Sequence, residues 1–324
     1  MSDRAVVRRF RGEVDYPVMF DIMQACNEVA GLEYNESVED VARVFSHLTH
    51  CNPFTDMRFV EVDGEAAGYS RVFWKDEFNG ARLYLGMGFV VPKWRRLGLG
   101  SRLLAWNEAR LREIAAGHPS ELEKVFQTWT TDSIPGAMRL FERYGYHIAR
   151  TMVEMIRPIG APLPLSPLPA SLEIRPATPE HYCAVWDAWE EAYRDHWGYA
   201  PRSENEFKAW QASRLFQPEL WKIVWDGDQV AGMVLNYIDH RRNEKIGIER
   251  GYTQNIFVRR PWRRRGLARA LLSESIRMFA LMGMSETYLG VDTESLTGAD
   301  HFYESMGYRN TMKRLIYRKP MVSD

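Results

Sequence analysis

Two arginine- and glycine-containing turns hold the residues of this sequence that are best placed to do chemistry. They read Trp94-Arg95-Arg96-Leu97-Gly98-Leu99-Gly100 and Trp262-Arg263-Arg264-Arg265-Gly266-Leu267-Ala268. A turn of this kind before a helix exposes successive backbone N–H groups at the helix N-terminus, an arrangement that binds anions. The arginines that open the Arg-x-x-Gly-x-Gly/Ala pattern are 168 residues apart. The duplication predicts two copies of one phosphate-binding domain.

The elements that must position each turn also occur twice, in the same order. An Asp-Gly hairpin signal comes first, an Ala-Gly pair and an apolar strand follow, and the strand runs into the turn. After the turn come a helix with apolar residues at helical spacing, another strand, and a short helix that ends at glycine. The paired segments are 63–64 and 226–227, 67–68 and 231–232, 83–91 and 252–258, 125–130 and 287–291, and 141–146 and 303–308.

A proline-rich stretch separates the two copies. Five prolines lie between Arg157 and Ser171, and such a stretch favours an extended connector over helix or central strand. We therefore predict an N-terminal domain at 1–157, a linker at 158–171 and a C-terminal domain at 172–324.

Composition and charge restrict the class of protein. A length of 324 residues suggests about two domains, and 42 basic against 43 acidic side chains give a net charge of −1. That balance disfavours a nucleic-acid or membrane partner. Three widely spaced cysteines suit a reducing compartment and form no metal-type pair, so we expect no metal. No apolar signal core follows Met1, and no run approaches about 20 apolar residues, so a cytoplasmic location is expected.

The ordered set of strand, turn, helix, strand and closing helix resembles the GNAT (GCN5-related N-acetyltransferase) superfamily. The resemblance covers almost the whole chain twice, and the closing block Tyr303-Glu304-Ser305-Met306-Gly307-Tyr308 belongs to it. The tandem layout is similar to that of mycothiol synthase and related two-domain acetyltransferases. This resemblance implies an α/β (α+β layered) fold of two tandem GNAT domains, each a mixed, mostly antiparallel splayed sheet flanked by helices.

The resemblance also implies acetyl-CoA, or another short acyl-CoA, as cofactor. The turn would hold its diphosphate, and the end of the preceding strand would hydrogen-bond the pantetheine as an added strand does. The cofactor-binding residues expected in the C-terminal domain are Ile256, Phe257, Val258, Arg263, Arg264, Arg265, Gly266, Leu267, Ala268 and Ser295. Arg95, Gly98 and Gly100 are their expected N-terminal counterparts.

By the same analogy, Tyr303 is the general acid that protonates the departing thiolate. Aligning Gly145 with Gly307 places Phe141 at the equivalent position of the first half, which therefore lacks this hydroxyl. We expect the C-terminal half to be catalytic, and the first half to be structural or to hold CoA without turnover. Ser295 stands where many members carry asparagine.

The general base and the acceptor pocket stay open at this stage. Glu249, Asp292 and Glu294 are carboxylates near the expected site, and a water relay is an alternative to all three. The acceptor pocket is expected among the aromatic residues of 186–199 with Trp210 and Trp221, with Asp195 or Glu190 attracting a cation. A tryptophan-rich core explains the same residues equally well.

The sequence thus predicts an acetyl-CoA-dependent N-acetyltransferase that transfers an acetyl group to a small-molecule amine by direct attack in its C-terminal domain. A protein or peptide N-acetyltransferase and a non-enzymatic CoA-binding scaffold or regulatory module are the alternatives. The chain is expected as a monomer with an internal pseudo-dimer or as a homodimer.

Overall fold

The structure is a computed structural model that describes residues 5–32, 37–77, 80–119, 121–163, 166–194, 196–197, 199, 201–294 and 298–321. Contacts divide the chain into two compact units. The first unit comprises residues 1–150 and 314–324, and the second comprises residues 151–313. In the described part of the chain, no helix has both the length and the apolar character needed to cross a membrane.

The first unit follows the predicted order of elements. Its strands are β1 (Ala5–Arg8), β2 (Met57–Val62), β3 (Glu65–Asp76), β4 (Ala81–Val90) and β5 (Glu123–Thr131), and its helices are α1 (Tyr16–Val29), α2 (Val38–Ser46), α3 (Pro53–Asp56), α4 (Leu99–Ala116) and α5 (Pro135–Arg143). A long strand, β6 (His147–Pro158), begins here and continues into the second unit.

The second unit repeats this order. Its strands are β7 (Glu173–Arg175), β8 (Lys222–Asp226), β9 (Gln229–Tyr237), β10 (Arg250–Val258) and β11 (Glu286–Asp292), and its helices are α6 (Tyr182–Tyr193), α7 (Glu204–Gln211), α8 (His240–Ile246), α9 (Leu267–Leu281) and α10 (Ala299–Ser305). The last strand is β12 (Arg309–Pro320).

The sheets of the two units have the same topology. The strand order is β1-β2-β3-β4-β5-β12 in the first unit and β7-β8-β9-β10-β11-β6 in the second. All neighbours are antiparallel except β4 with β5 and β10 with β11.

Each sheet splays open at its parallel pair. Pairing of β4 with β5 stops at Leu85 opposite Gln127, although β4 continues to Val90. Pairing of β10 with β11 stops at Tyr252 opposite Tyr288, although β10 continues to Val258. The predicted fold class, two mixed and mostly antiparallel splayed sheets with flanking helices, is confirmed.

The strand that closes each sheet comes from the other half of the sequence. Residues 314–320 of β12 pair with β5, and residues 152–158 of β6 pair with β11. The contact-defined units therefore end inside β6 and β12, whereas the predicted limits at 157 and 172 follow the repeat in the sequence. The two sets of limits differ because β6 and β12 each hydrogen-bond to a strand of the other half. The repeat in the sequence shows which segments are similar, but not which strands pair.

Two cations of β12 bind carboxylates in the interior of the first unit. Arg318 donates hydrogen bonds to Glu77, whose side chain is 4% exposed, and to Gln127 at 2.8 Å. Lys319 donates to both carboxylate oxygens of Glu108, at 2.8 and 3.0 Å. These ion pairs fix the last strand of the chain on the first sheet.

Replacing Arg318 by methionine should reduce the free energy of unfolding by about 3–5 kcal/mol, because the buried Glu77 carboxylate loses its cation. Urea denaturation of the full chain measures the change. The exposed Arg309 of the same strand supplies the control Arg309→Met, which should change stability by less than about 0.5 kcal/mol. Equal stability of the Arg318→Met protein and wild type would show that this ion pair does not hold β12.

Candidate functional site

The two turns have the same backbone conformation. Arg96 and Arg264 have φ angles of 68° and 60°, and Gly98 and Gly266 have φ angles of 78° and 80°. Left-handed φ values at the second and fourth positions of the motif direct the chain from the strand into the helix, and they are unfavourable for non-glycine residues. The two turns therefore share their backbone conformation as well as their sequence pattern.

The first arginine of each motif fastens the turn to the strand before it. Arg95 Nε donates to the carbonyl oxygen of Val90 at 3.1 Å, and Arg263 Nε donates to that of Val258 at 2.9 Å. Each acceptor is the last residue of its strand, β4 or β10. Arg95 and Arg263 thus shape the turn itself.

The helices after the turns begin without a side-chain cap. Gly98 and Gly266 occupy the N-cap positions, and their carbonyl oxygens accept the first helical bonds, from Arg102 at 3.1 Å and Ala270 at 3.0 Å. The N–H groups of the first helical turn therefore have no partner within the helix, and with the helix dipole they favour an anion.

A glycine on the neighbouring strand allows the strand that carries each turn to approach closely. A Cβ atom at Gly232 would lie 2.8 Å from the carbonyl oxygen of Phe257, and a Cβ at Gly68 would collide with the carbonyl oxygen of Phe89. This contact explains the repeated Ala-Gly pair, since any side chain there would displace β4 or β10.

In the first unit the turn opens onto a cleft of about 840 Å³. Its walls come from β4, the turn, α4, the end of β5, and α5. The described residues that line it include five arginines and no aspartate or glutamate; the arginines are Arg95, Arg96, Arg139, Arg143 and Arg314. Gly98 and Gly100 also lie in its wall. The cleft combines a strong positive charge with free backbone amides, and that combination suits a ligand with several phosphate groups.

In the second unit the linker packs along the corresponding surface. Leu163 contacts a cluster that includes Leu272 and Tyr303, and Leu168 contacts a cluster that includes Trp262, Leu267 and Leu271. Ile256 belongs to the periphery of both clusters. Of the predicted cofactor residues, Ile256, Val258 and Leu267 thus lie in one apolar cluster with Leu168 of the linker. Phe257 packs in a different cluster, with Trp189 and Trp221.

The Tyr303 side chain is buried, with 7% exposure, on the short helix α10. It belongs to a buried cluster with Leu272, Ile276 and Leu289, and its ring lies edge-on to Tyr308 with centroids 5.9 Å apart. Burial raises the pKa of Tyr303 far above its ordinary value, and the neighbouring Tyr193 and Tyr308 hydroxyls raise it further. The phenol is therefore protonated at neutral pH, as a proton donor must be.

Phe141 occupies the equivalent position in the first unit. Its ring packs against Tyr146 and Tyr317, with centroids 6.1 and 5.4 Å apart, and it lines the arginine-rich cleft.

A β-bulge beside Tyr193 is a feature that the sequence analysis did not identify. The register of β10 against β9 shifts between Gln254 and Ile256, and the extra residue, Asn255, has a φ angle of 50°. The Tyr193 hydroxyl donates to Asn255 Oδ1 at 3.3 Å. In the first unit, β4 pairs with β3 in continuous register from Val90 to Arg82. Asparagine tolerates left-handed φ, and this tolerance is the only feature of the sequence that could have indicated the bulge.

Most of the other candidate residues already have partners within the protein. Asp292 is buried and accepts a hydrogen bond from the Glu294 N–H at 3.0 Å, and the Glu249 carbonyl oxygen accepts from Ser285. Ser295 and Asp195 lie outside the described residues. Glu190 binds Arg202 and Tyr199, each at 2.8 Å, so its carboxylate is already paired.

The tryptophans of the second unit mainly form its core. Trp189 and Trp221 are buried in a cluster with Ile223 and Met233, and Trp210 stacks on Trp221 at 5.2 Å. A cavity of about 100 Å³ remains at the edge of this cluster, and Asn255 of the bulge lies in its wall. Core packing therefore accounts for most of these aromatic side chains.

Comparisons with known proteins agree with this geometry. The model of the acetyltransferase (GNAT) family matches residues 17–146 and 182–308. The mycothiol acetyltransferase of Geodermatophilus obscurus is 25% identical over 258 residues, which are 78% of each chain. That of Saccharopolyspora erythraea is 34% identical over 113 residues, which are 35% of this chain and 37% of its own.

Solved structures show the same duplicated fold. A GCN5-related N-acetyltransferase from Sphaerobacter thermophilus superposes with a TM-score of 0.74 and 29% identity over 99% of this chain and 97% of its own. A tandem GNAT protein from the clavulanic acid biosynthesis pathway shares the fold, with a TM-score of 0.68 and 13% identity over 99% of both chains. With its two family matches and two copies of the turn, this chain belongs to the acetyltransferase (GNAT) family and is an N-acetyltransferase of tandem-domain type.

Proposed function

We propose that the protein transfers an acetyl group from acetyl-CoA to the amine of a small molecule by direct attack. The observation that carries this proposal is the cleft of the first unit, where five arginines and an uncapped helix N-terminus meet without a carboxylate among the described lining residues. Coenzyme A carries a diphosphate and a further phosphate on its ribose, so it requires several positive charges and N–H donors. Other short acyl-CoA molecules share these groups.

The splayed strand supplies the rest of a coenzyme site. Beyond Leu85, β4 has no partner in β5, and its polar backbone groups border the cleft at Gly86–Val90. The amide groups of a pantetheine chain can pair with such an edge as an added strand does. Ile256, Phe257 and Val258 occupy the same place on β10, so both units have this element.

We assign catalysis to the second unit because Tyr303 can donate a proton near the point where β10 and β11 separate. When the nitrogen of a neutral amine attacks the thioester carbonyl carbon, a C–N bond forms and the C–S bond breaks. The departing sulfur takes a proton from the buried Tyr303 hydroxyl. The proton that the attacking nitrogen gives up passes through water and restores that hydroxyl, so the tyrosine is unchanged after each turnover. Phe141 offers no such proton. The bulge at Asn255 places a strained residue beside the same opening, as is common near active sites.

A small acceptor fits the space available on the other side of the bulge. The cavity of about 100 Å³ between Trp210, Phe216 and Asn255 accommodates only a small group of atoms. The similar proteins of Geodermatophilus obscurus and Salinispora arenicola are mycothiol acetyltransferases, and this name also supports a small-molecule substrate. Release of free CoA thiol, measured with a panel of small amines and with peptides, tests the reaction. Release with peptides alone would favour protein acetylation, and CoA binding without release would favour a scaffold.

Replacing Tyr303 by phenylalanine should lower kcat by roughly 10²–10⁴-fold while the melting temperature stays near that of wild type, because only the proton donor is removed. Steady-state thiol release and thermal unfolding measure the two quantities. The matched control is Phe141→Leu in the first unit, which should leave kcat unchanged. Wild-type kcat in the Tyr303→Phe protein would remove the tyrosine from the mechanism.

The raised pKa of Tyr303 makes a second prediction, on pH dependence. An acid with the ordinary tyrosine pKa of about 10 would begin to lose its proton as the pH approaches that value, whereas a raised pKa preserves the proton beyond it. We therefore expect no fall in kcat from about pH 8 to about pH 10 in wild type. An alkaline fall in that interval which disappears in Tyr303→Phe would contradict a buried, protonated phenol.

Reversing the charge of Arg139 in the first cleft should weaken CoA binding by roughly 10- to 100-fold, since a charge-assisted hydrogen bond contributes about 1.5–3 kcal/mol. Calorimetric titration of the Arg139→Glu protein with CoA measures this loss. Arg9 is exposed on the same unit and does not line the cleft, so Arg9→Glu should bind as wild type does. Equal losses in both variants would indicate a general effect of net charge.

A further inference from the structure

A small cavity lies beside the bulge of β10 in the second unit. It has a volume of about 100 Å³, and its walls include Trp210, Phe216, Trp221 and Asn255. Trp210 stacks on Trp221 with ring centroids 5.2 Å apart, and Phe216 lies edge-on to both rings at 4.8 and 5.0 Å. Rings that pack against one another in this way fix the walls, so the space exists before a ligand arrives.

No described residue in the wall of this cavity carries a charge. Arg214, which adjoins the wall, donates to both carboxylate oxygens of Asp239, at 2.7 and 2.9 Å. Glu190, an expected partner for a cation, accepts a hydrogen bond from Arg202 at 2.8 Å. Burial raises the pKa of Tyr237, whose hydroxyl is therefore neutral. A charged group that entered the cavity would lose its hydration without gaining an opposite charge from the described wall.

One strand connects this cavity to the proposed reaction centre. Asn255 of β10 lies in the cavity wall, and the adjoining Ile256 packs on the cluster that contains Tyr303. The Tyr193 hydroxyl donates to Asn255 Oδ1 at 3.3 Å, and the Tyr193 ring lies edge-on to Phe257 of the same strand, with centroids 6.4 Å apart. A molecule with one end in the cavity therefore has its other end beside the strand on which the proposed function places the thioester.

We infer that the cavity receives an uncharged, mainly apolar substituent of the acceptor, and that the protein selects amines whose far end is a short alkyl group or a small ring. The inference rests on the proposed function, the acetylation of a small-molecule amine. Benzene fits an apolar cavity of about 150 Å³, so a cavity of about 100 Å³ fits a somewhat smaller group. Amines with a second charge at the far end, such as diamines and ω-amino acids, are disfavoured.

The first test compares three amines that differ only in the group at the far end, by release of free CoA thiol. Butylamine ends in a methyl group, 4-aminobutanoate in a carboxylate and 1,3-diaminopropane in a second ammonium. Butylamine should have the highest kcat/KM, by about tenfold or more, because a terminal charge loses its hydration in the cavity. Equal values for the three amines, or a higher value for a charged one, would overturn the inference and leave the proposed acetylation intact. Release with none of the three would overturn the inference, and it would contradict the proposed function as well only if the wider set of small amines also gave none.

The second test places a charge in the cavity wall. Ser213 lies in that wall, and its hydroxyl accepts a hydrogen bond from the Leu215 N–H at 3.2 Å, a bond that an aspartate can also accept. Ser213→Asp should raise kcat/KM for 1,3-diaminopropane relative to butylamine by about tenfold, because the new carboxylate supplies an opposite charge. The matched control is Ser213→Asn, which adds a side chain of the same shape without charge and should keep the wild-type order of the three amines.

An unchanged order of the amines in the Ser213→Asp protein would show that the far end of the acceptor does not enter the cavity. If this variant does not fold, inhibition of wild type decides. Butan-1-ol should compete with butylamine, and butanoate should not, because only the alcohol is uncharged. Equal inhibition by the two compounds would contradict selection for an uncharged substituent.

Discussion

The short pairing between the two parallel strands of each sheet is the constraint on which the rest of this structure depends. β4 pairs with β5 only over residues 81–85, and β10 pairs with β11 only over residues 250–252. The remaining residues of β4 and β10 therefore face a gap in the sheet. Backbone polar groups at such a gap need other partners. The arginine that opens each turn satisfies the last carbonyl of the strand, at Val90 or Val258. In the first unit, residues 86–90 of β4 border the cleft.

The two units use the same gap differently. The first surrounds it with arginines and leaves it open, and its β4 strand is regular throughout. The second has a bulged β10 strand, and its buried Tyr303 lies in an apolar cluster on which Leu163 of the linker packs. Duplication thus preserved the turn and its geometry, while the residues that surround the gap diverged between the units.

Much of this architecture could be predicted from the sequence because the repeated pieces are local. The turn needs left-handed backbone at Gly98 and Gly266, and the strand and helix patterns flank it directly. Features that depend on distant partners could not be predicted. The closing strands depend on which edge is free, and the course of the linker depends on carbonyl groups that bind Arg157. The bulge depends on a single asparagine whose φ angle no pattern encodes.

Each sheet is closed by a strand from the other half of the sequence, and this exchange has a consequence for biosynthesis. While the ribosome is still making the second half, the first sheet lacks the strand at residues 314–320, and β5 presents an unpaired edge. Exposed edges of this kind associate with other strands. That edge therefore stays unpaired until residues 314–320 emerge. A gene cut within the proline-rich stretch would yield two fragments, each missing the strand that the other encodes.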